Sequence, residues 1–542
     1  MVASLAPGSG GSGEHARHGS VTPLAEHARF WSTPPPAMKT TRLIQALTAS
    51  LALASSAHAG LLDGASQAWS STHTGTPSGF LSEIVSFDAA TKTLWVSGVK
   101  GVNVLDAKTG ASLGFIDTSA WGSINSVAIH NGVAAFAIEA NDRKLPGVVQ
   151  LYDTTSRSLL AGTSTIAVGS LPDMLTFTPD GSRLLVANEG TPNAGDYGTR
   201  IGTTTPRNYG VGANDPVGSV SIIDVASRSV VSTATLAGVA QTGSHIRTNT
   251  GMDFEPEYIA VNKAGTQAYV SLQEANAMGV LDLQSGKFTK VVGLGAKDFS
   301  QAGNAIDTLN NGTVSFQSVA VKGLYMPDGM ASFTGGAKTY VVMANEGDFR
   351  EDDADRSAAG GSDPLLANLR ISNTDSSAGN LYAAGARSFS IRDADGNLVY
   401  DSGNILDVQA AAAGIYNDGR SRDKGVEPEG VELMEIGGKT FAFIGLERTT
   451  TGAVAVFEID VLDPSKTSFV RMLTMGGQIA PEGLKGFTMD GVHYLAVSAE
   501  GADGVGAGTA LFALAPVPEP STYAMLLGGL GLVGWMARRR KA

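Results

Sequence analysis

The sequence predicts an all-β protein, a seven-bladed β-propeller, and two observations carry this prediction. A hairpin of two short apolar strands recurs seven times, with Asp-Gly, Asn-Gly or Gly-Gly at several of its turns. No strong run of helical periodicity competes with this pattern between the two ends of the chain. Antiparallel strands repeated in equivalent units are the sequence form of a propeller.

The hairpins define the predicted blades in chain order. They cover residues 84–96, 127–138, 174–186, 258–271, 330–342, 431–444 and 484–497. A third strand follows several of them, at 102–106, 149–153, 220–224 and 279–283, and a fourth apolar stretch follows at positions such as 229–232. The last unit ends with residues 509–513 and lacks a fourth strand. We therefore expect the segment 66–71 to complete the last blade and close the ring.

The N-terminal end predicts a leader and a signal peptide. Residues 1–37 are rich in Gly, Ser, Pro and His, so we interpret them as a non-native or disordered leader. Residues 38–59 combine Lys39 and Arg42 with an apolar run and the small-residue site Ala57-His58-Ala59. We expect signal peptidase to cleave after Ala59. The alternative is a disordered tail before a buried helix.

The C-terminal end, 516–542, predicts a sorting segment. Pro518, Glu519 and Pro520 precede an uncharged run, 522–537, and a basic cluster, 538–541. The run is slightly short for a spanning helix, and the basic cluster would stay in the cytoplasm. This tail resembles the PEP-CTERM sorting signal. The resemblance implies a Gram-negative bacterium, an exosortase-type protease as partner, a transient inner-membrane anchor, and export to the periplasm, outer surface or extracellular matrix. An ordinary C-terminal membrane anchor is the alternative.

Composition restricts the function of the body, predicted as 60–515. The chain has a net charge of -13, and its basic ends carry +2 (1–59) and +4 (521–542), so residues 60–520 carry -19. Such a balance argues against nucleic-acid binding. The chain has no Cys, which excludes disulfides and Cys-ligated metals. Many carboxylates with few His suit oxygen-liganded cations.

Acidic residues recur at two matched positions of the unit. One stands just before the first strand, usually after Pro, and the other at the end of the second strand, so both should lie at the same end of the sheet. We expect these acids to form two rings at one mouth of the propeller's central channel. A bound Ca²⁺ would be the simplest way to compensate their negative charge. The candidate metal ligands are Asp173, Glu257, Asp328, Glu429 and Glu482 in the first ring and Glu189, Glu274, Glu346 and Glu447 in the second. Glu83, Glu139 and Glu500 occupy matching positions.

A salt-bridge network is the alternative to a metal site. Basic residues lie close to these motifs in sequence and could neutralise the acids instead: Arg350, Arg387, Lys424, Arg448 and Lys485. Two long insertions, 190–216 and 347–385, should emerge on the acidic face and rim the mouth. The acidic run 393–397 lacks the full spacing of a calcium loop, so we interpret it as a strand turn.

Several sequence words together resemble the choice-of-anchor I family over about 75–513. They include Ala187-Asn188-Glu189-Gly190, Glu255-Pro256-Glu257-Tyr258, Ala344-Asn345-Glu346-Gly347-Asp348 and Glu427-Pro428-Glu429-Gly430. The resemblance implies a surface-anchored protein, and some relatives are labelled alkaline phosphatase-like, in a group similar to phytase-type propellers. The last unit departs from the pattern, which weakens the case for Glu500.

Two functions follow as hypotheses. The first is a surface-sorted propeller with a Ca²⁺-binding mouth that acts in binding or surface display, with extracellular polysaccharide as a possible partner. The second is a metal-dependent phosphoester hydrolase, in which a candidate catalytic arginine (Arg350, Arg387 or Arg448) would stabilise the leaving charge.

Overall fold

The computed structural model describes residues 60–193, 215–247, 254–349, 355–502 and 505–516. The predicted leader and signal peptide with Ala59, the candidate Arg350, and the sorting residues Pro518, Glu519 and Pro520 lie outside the described residues. Within the described part the chain is all-β apart from a few short helices. None of the helices in this part is long and apolar enough to cross a membrane.

Seven antiparallel sheets of four main strands contain most of the strand residues of the described part. We number them sheet 1 to sheet 7 along the chain, and name their strands first to fourth. Sheet 1 contains β2 (Ser82–Asp88), β3 (Thr93–Gly98), β4 (Gly101–Asp106) and β5 (Ser112–Asp117). Sheet 2 contains β6 (Ile124–His130), β7 (Val133–Ile138), β8 (Pro146–Asp153) and β10 (Thr165–Ser170), with the short β9 (Ser158–Leu159) beside β8. Sheet 3 contains β11 (Pro172–Phe177), β12 (Arg183–Asn188), β13 (Ser219–Asp224) and β14 (Ser229–Thr235).

The later sheets repeat this order with additions at the edges. Sheet 4 contains β16 (Pro256–Val261), β17 (Gln267–Leu272), β18 (Ala277–Asp282) and β19 (Lys287–Leu294), with β15 (Gln241–Ser244) parallel to β19. Sheet 5 contains β22 (Met330–Gly335), β23 (Lys338–Asn345), β27 (Ser388–Asp393) and β28 (Leu398–Asp401). Sheet 6 contains β29 (Pro428–Ile436), β30 (Lys439–Leu446), β31 (Ala453–Ile459) and β32 (Ser468–Thr474). Sheet 7 contains β33 (Pro481–Met489), β34 (Val492–Ala499), β35 (Gly508–Pro516) and β1 (Ser66–Ser71).

The sheets follow one another in a closed cycle. The first strand of each sheet contacts the first strand of the next, and β33 of sheet 7 contacts β2 of sheet 1. A separate hydrophobic cluster fills each of the seven junctions between neighbouring sheets. At the junction of sheets 1 and 2, for example, the rings of Trp95 and Phe136 lie 6.0 Å apart. This is a β-propeller-like arrangement.

Burial on both faces explains the composition of the strands. Every residue of β3 is buried, and most residues of the other second and third strands are buried as well. A strand covered on both sides needs a continuous apolar run rather than an alternating one. The hairpin turns suit the twist of the strands, since Asn131 and Gly132 have φ of +47° and +79°.

The predicted pairing of segment 66–71 with the last sheet is confirmed. Strand β1 pairs antiparallel with β35 and supplies the fourth strand of sheet 7, with Ser66 opposite Ala513 and Ser71 opposite Thr509. Leu62, just before β1, is buried in the cluster between sheets 6 and 7. The two ends of the described chain therefore meet in one sheet.

The sequence did not predict an accessory lobe between sheets 4 and 6. It contains β20 (Ala296–Asp298), β21 (Val321–Leu324) and β26 (Leu381–Ala383) in one sheet, and β24 (Arg356–Ala358) and β25 (Arg370–Ser372) in another. Helix α1 (Ile405–Ala412) and a 3-10 turn (Asp418–Arg420) follow, and a second 3-10 turn (Pro464–Lys466) connects β31 and β32 of sheet 6. The segment 393–397 is a strand turn, as predicted, in which the carboxylate of Asp393 accepts hydrogen bonds from backbone N–H groups.

Substituting Leu62 by Ala tests the closure. Because Leu62 is 1% exposed in the core between sheets 6 and 7, its loss should lower the free energy of unfolding by about 2–5 kcal/mol. The matched control is Leu61→Ala, since Leu61 is 41% exposed and should change stability by less than about 0.5 kcal/mol. Denaturant unfolding of both variants measures the difference. Equal effects would contradict the assignment of the junction core.

Candidate functional site

The first acid of the repeat stands at a β-bulge. In four sheets a proline pairs with the last residue of the second strand, and the register then shifts before the next paired residue. The acid follows the proline directly, within the shifted stretch. A bulge of this kind bends a strand and redirects side chains. The residues placed in this way are Asp173, Glu257, Glu429 and Glu482.

The second acid is held by the backbone at the same end. In sheets 3, 6 and 7 its N–H donates, at 2.9 Å in each case, to the carbonyl of the residue before the proline. Those carbonyls belong to Leu171, Glu427 and Ala480, whose φ values of +47°, +51° and +56° are left-handed. Each such conformation in a non-glycine residue costs on the order of 1–3 kcal/mol. The register thus confirms that both acids of a unit lie at one end of the sheet.

Glycines bring the first strands of sheets 5, 6, 7 and 1 close together. A Cβ at Gly430 would clash with the carbonyl oxygen of Glu482 in sheet 7, and one at Gly483 would lie 2.6 Å from the carbonyl oxygen of Glu83 in sheet 1. A Cβ at Gly329 would likewise clash with the carbonyl oxygen of Glu429. Because each glycine directly follows a first acid, the absence of a Cβ lets neighbouring acidic positions approach one another.

A cavity of about 300 Å³ lies among these strand starts, and we call it the acidic cavity. Its lining includes six acids and one basic side chain, Arg143. The acids come from sheets 1, 3, 5 and 7: Glu83, Asp173, Glu189, Asp328, Glu482 and Glu500. The negative charge of the body is therefore concentrated, in part, around one small volume.

The pKa values of most of these acids are raised strongly. Burial, with added repulsion from neighbouring carboxylates, raises the pKa of Glu482 to about 8, and burial and Glu139 raise that of Asp173 to about 6. The pKa of Glu83, Glu257 and Asp328 is also well above the usual range, again through burial first and carboxylate repulsion second. Such shifts mark a site that favours bound protons or bound cations.

One part of the acidic cluster is compensated by the chain's own bases. The ammonium of Lys424, which is 4% exposed, lies 2.5 Å from Oε1 of Glu346 and 3.0 Å from Oε2 of Glu427. Although burial opposes it, the charge of Lys424 and Arg420 holds the pKa of Glu427 below its usual value. We call this group the salt-bridged half; it consists of Glu346, Glu427, Glu447, Lys424, Arg420 and Arg448.

The other part has carboxylates that form no ion pair within 4.0 Å with a base of the described residues, and we call Glu257, Asp328, Glu429 and Glu482 the open half. Oε2 of Glu257 and Oε2 of Glu429 are buried and have no hydrogen-bond partner. The carboxyls of Glu429 and Glu482 are within hydrogen-bonding reach of each other, which requires a shared proton or a cation. Ligand oxygens of Asp328, Glu346 and Glu429 all lie within 4.8 Å of one another, a spacing that a single oxygen-liganded cation can bridge.

The predicted metal ligands are brought together in one cluster. Repulsion by others of the set contributes to the raised pKa of most of them, which shows their proximity. Glu447 lies in the salt-bridged half, and Glu346 is shared, because its Oε1 contacts Lys424 and its Oε2 accepts from Gln273 at 2.9 Å. The remaining members lie in or around the open half: Asp173, Glu189, Glu257, Glu274, Asp328, Glu429 and Glu482.

The basic candidates have different positions. Arg448 reaches the cluster, where its Nη2 lies 2.5 Å from Oε1 of Glu447. Arg387 does not line the acidic cavity; its buried guanidinium donates to the backbone carbonyls of Asp307, Ser421 and Asp423, and so supports the segment that carries Lys424. Lys485 pairs with Glu432 at 3.2 Å, away from both acidic rings.

Two further acids belong to the cluster and were not among the predicted ligands. Glu427 is the centre of the salt-bridged half, and Glu255 shares the hydroxyl of Thr191 with Glu189, with both contacts at 2.9 Å. The signal for both was present in the words Glu255-Pro256-Glu257 and Glu427-Pro428-Glu429. An acid on each side of the proline places one carboxylate at the bulge and the other beside it.

Comparisons with known proteins identify a family and a sorting motif. A family model described as the choice-of-anchor I domain matches residues 83–461, and the PEP-CTERM protein-sorting motif matches residues 516–541. No curated protein matches the chain. Among solved structures, hydrazine synthase of Kuenenia stuttgartiensis is similar at 12% identity and a TM-score of 0.44, over 78% of this chain and 95% of that one.

The glycine contacts can be tested with Gly430→Ala. The added methyl group would press on the carbonyl of Glu482 and displace the acids of sheets 6 and 7, at a cost of about 1–3 kcal/mol in the free energy of unfolding. Gly64→Ala is the matched control, because its Cβ would meet nothing within 4 Å. Thermal unfolding of the two variants gives the comparison. A neutral Gly430→Ala would show that close strand approach is not required.

The raised pKa values predict how stability depends on pH. Folded Glu482 and Asp173 keep protons up to about pH 8 and 6, whereas the unfolded chain releases them near 4.5 and 3.8. Stability from these groups is therefore greatest at low pH and falls as pH rises through this window, by about 1.4 kcal/mol per pKa unit for one group. In a chelating buffer the melting temperature should be lower at pH 8 than at pH 6. A rise over that interval would be the opposite result.

Proposed function

The chain belongs to the choice-of-anchor I family, and from this premise we propose that it is a surface-sorted protein whose acidic mouth binds Ca²⁺. The PEP-CTERM motif implies processing by an exosortase and export to the cell envelope of a Gram-negative bacterium. Within that setting we assign the protein to binding or surface display. The signal peptide with cleavage after Ala59 and the transient membrane anchor at 516–542 are part of the same proposal.

We further propose that the seven sheets are the blades of one seven-bladed propeller. Two observations support this reading: the first strands contact one another in a closed cycle, and a hydrophobic cluster fills every junction between neighbours. The central position of the first strands would place the acidic cavity at one mouth of the channel.

The observation that carries the calcium proposal is the contrast between the two halves of the cluster. In the salt-bridged half, Lys424, Arg420 and Arg448 form ion pairs with Glu346, Glu427 and Glu447. In the open half, buried carboxylate oxygens of Glu257 and Glu429 have no partner. Carboxylates without Cys or His ligands favour a hard cation, and Ca²⁺ tolerates their irregular spacing better than Mg²⁺ does.

Asp328 and Glu429 would hold the ion from sheets 5 and 6, with Glu346 as a shared third ligand. In an extracellular setting such a site would bind Ca²⁺ with a dissociation constant on the order of 10⁻⁴–10⁻³ M. Bound Ca²⁺ would also remove the repulsion that raises the carboxyl pKa values. It would stabilise the fold by mass action, since the unfolded chain has no assembled site.

Phosphoester hydrolysis remains the second hypothesis. Of the candidate arginines within the described residues, Arg448 reaches the cluster, but its guanidinium is engaged by Glu447. A broad phosphoester panel assayed with Ca²⁺ tests this activity directly, and turnover that depends on Ca²⁺ would favour it over a role in binding alone.

Calcium titration of Glu429→Gln tests the site. Losing one charged ligand oxygen should weaken Ca²⁺ binding at least about tenfold, consistent with a contribution of 1.5–3 kcal/mol for a contact to a charged group. Glu458→Gln is the control, because Glu458 pairs with Lys439 on the surface, away from the mouth. Isothermal titration calorimetry measures both, and the melting temperature of the wild type should rise with Ca²⁺. A wild type that binds no Ca²⁺, or a Glu429→Gln variant with unchanged affinity, would refute the proposal.

A further inference from the structure

The acidic cavity has an apolar floor. The residue directly after the first acid or its counterpart is large in sheets 1, 3 and 4, where Ile84, Met174 and Tyr258 stand, and Gly in sheets 5 to 7. Ile84, Met174 and Tyr258, with Ser126, line both the acidic cavity and a second cavity of about 350 Å³. They therefore form the boundary between the two volumes. Leu171 adds a further apolar side chain to the acidic cavity.

This floor bears on what the cavity can hold. A hydrated metal ion gains nothing from contact with Ile84, Leu171 or Met174, because its outer surface is water. A methylene chain gains about 0.8 kcal/mol for each CH₂ group that it buries. An ammonium group beside the ring of Tyr258 is also attracted by the aromatic face. Acidic walls above an apolar floor thus fit a cation with a hydrocarbon body.

The chain itself shows that the cluster accepts a primary ammonium. Lys424 places its ammonium between Glu346 and Glu427, at 2.5 Å and 3.0 Å, at the end of a buried tetramethylene stem. That arrangement stands beside the open half, with which it shares Glu346. The same chemistry, an ammonium among carboxylates with methylenes in an apolar surrounding, is available in the acidic cavity.

The cavity also has suitable charge and size. Acids outnumber bases six to one in its lining, and Glu83, Asp173 and Glu482 are among those acids. A volume of about 300 Å³ is at the lower end of the range for small-molecule sites. It is sufficient for an aliphatic chain of a few methylenes with charged ends.

We propose that the acidic cavity binds an aliphatic polyamine. Its ammonium groups contact carboxylates of Glu83, Asp173 and Glu482, and its methylenes lie on Ile84, Met174 and Tyr258. The site overlaps the proposed Ca²⁺ site at Asp328, so the two ligands compete, but polyamine binding does not depend on Ca²⁺.

Isothermal titration calorimetry tests this in a buffer at about physiological ionic strength from which divalent cations have been removed on a chelating resin. The probes are spermidine, putrescine, Mg²⁺ and the uncharged 1,4-butanediol. Spermidine and putrescine should bind at least about tenfold more tightly than Mg²⁺, and butanediol should not bind, because both the charge and the methylenes are used. Mg²⁺ binding as tightly as the amines, or absence of amine binding, would overturn the proposal.

Variants locate the site. Asp173→Asn should weaken spermidine binding at least about tenfold and weaken Ca²⁺ binding less, because Asp173 lines the cavity but lies outside the group of Asp328, Glu346 and Glu429. The control Glu458→Gln should bind spermidine as the wild type does. If Asp173→Asn fails to fold, as judged by its melting curve, Glu83→Gln replaces it with the same expectation. Unchanged spermidine affinity in the folded variant would refute the site.

The outcomes also separate this inference from the calcium proposal. Spermidine binding without Ca²⁺ binding would leave the polyamine site standing and refute the metal site. Ca²⁺ binding without spermidine binding would do the reverse. Spermidine displaced by Ca²⁺ would support both ligands at overlapping carboxylates.

Discussion

The packing of each sheet against two neighbours is the constraint on which the rest of the structure depends. Every junction between consecutive sheets contains its own hydrophobic cluster, and the last junction joins sheet 7 to sheet 1. Because each sheet is covered on both faces, no sheet can be removed without exposing two apolar surfaces. The N-terminal strand β1 completes sheet 7 by pairing with β35, so closure joins residues at opposite ends of the body. Such closure can stabilise an exported protein that has no cysteine.

The same cycle of sheets creates an electrostatic problem at the acidic cavity. Equivalent acids at the starts of first strands must converge once the sheets form a cycle, and burial then makes their charges expensive. The surroundings of these acids differ between the two halves of the cluster. In the salt-bridged half, the segment 418–424 supplies Arg420 and Lys424, and Arg448 follows the second strand of sheet 6. In the open half no comparable base is present among the described residues, and the unsatisfied carboxylates define where a cation would be held.

Backbone conformations with a free-energy cost occur at the same end of the sheets as these acids. Leu171, Glu427 and Ala480 adopt left-handed φ values just before the proline, and glycines after the acid permit contact between neighbouring strands. Strained conformations persist only where surrounding structure enforces them, and they concentrate at functional sites. Their repetition in several sheets shows that the acidic positions are built by a common local device, which is modified from sheet to sheet by the residue that follows the acid.

The sequence by itself determined the repeat, the seven hairpins, the closing strand and the convergence of Asp173, Glu257, Asp328, Glu429 and Glu482 at one end. These follow from local rules, since period-two patterns, turn residues and equivalent positions are visible along the chain. Only the tertiary structure decided which acids are neutralised, because that depends on where Lys424, Arg387 and Arg448 lie in space. Arg387 is close to the motifs in sequence but supports a loop, whereas Lys424 enters the cluster. The sequence also did not predict the accessory lobe and helix α1. Their short strands and single helix are stabilised by contacts with distant segments rather than by a local pattern.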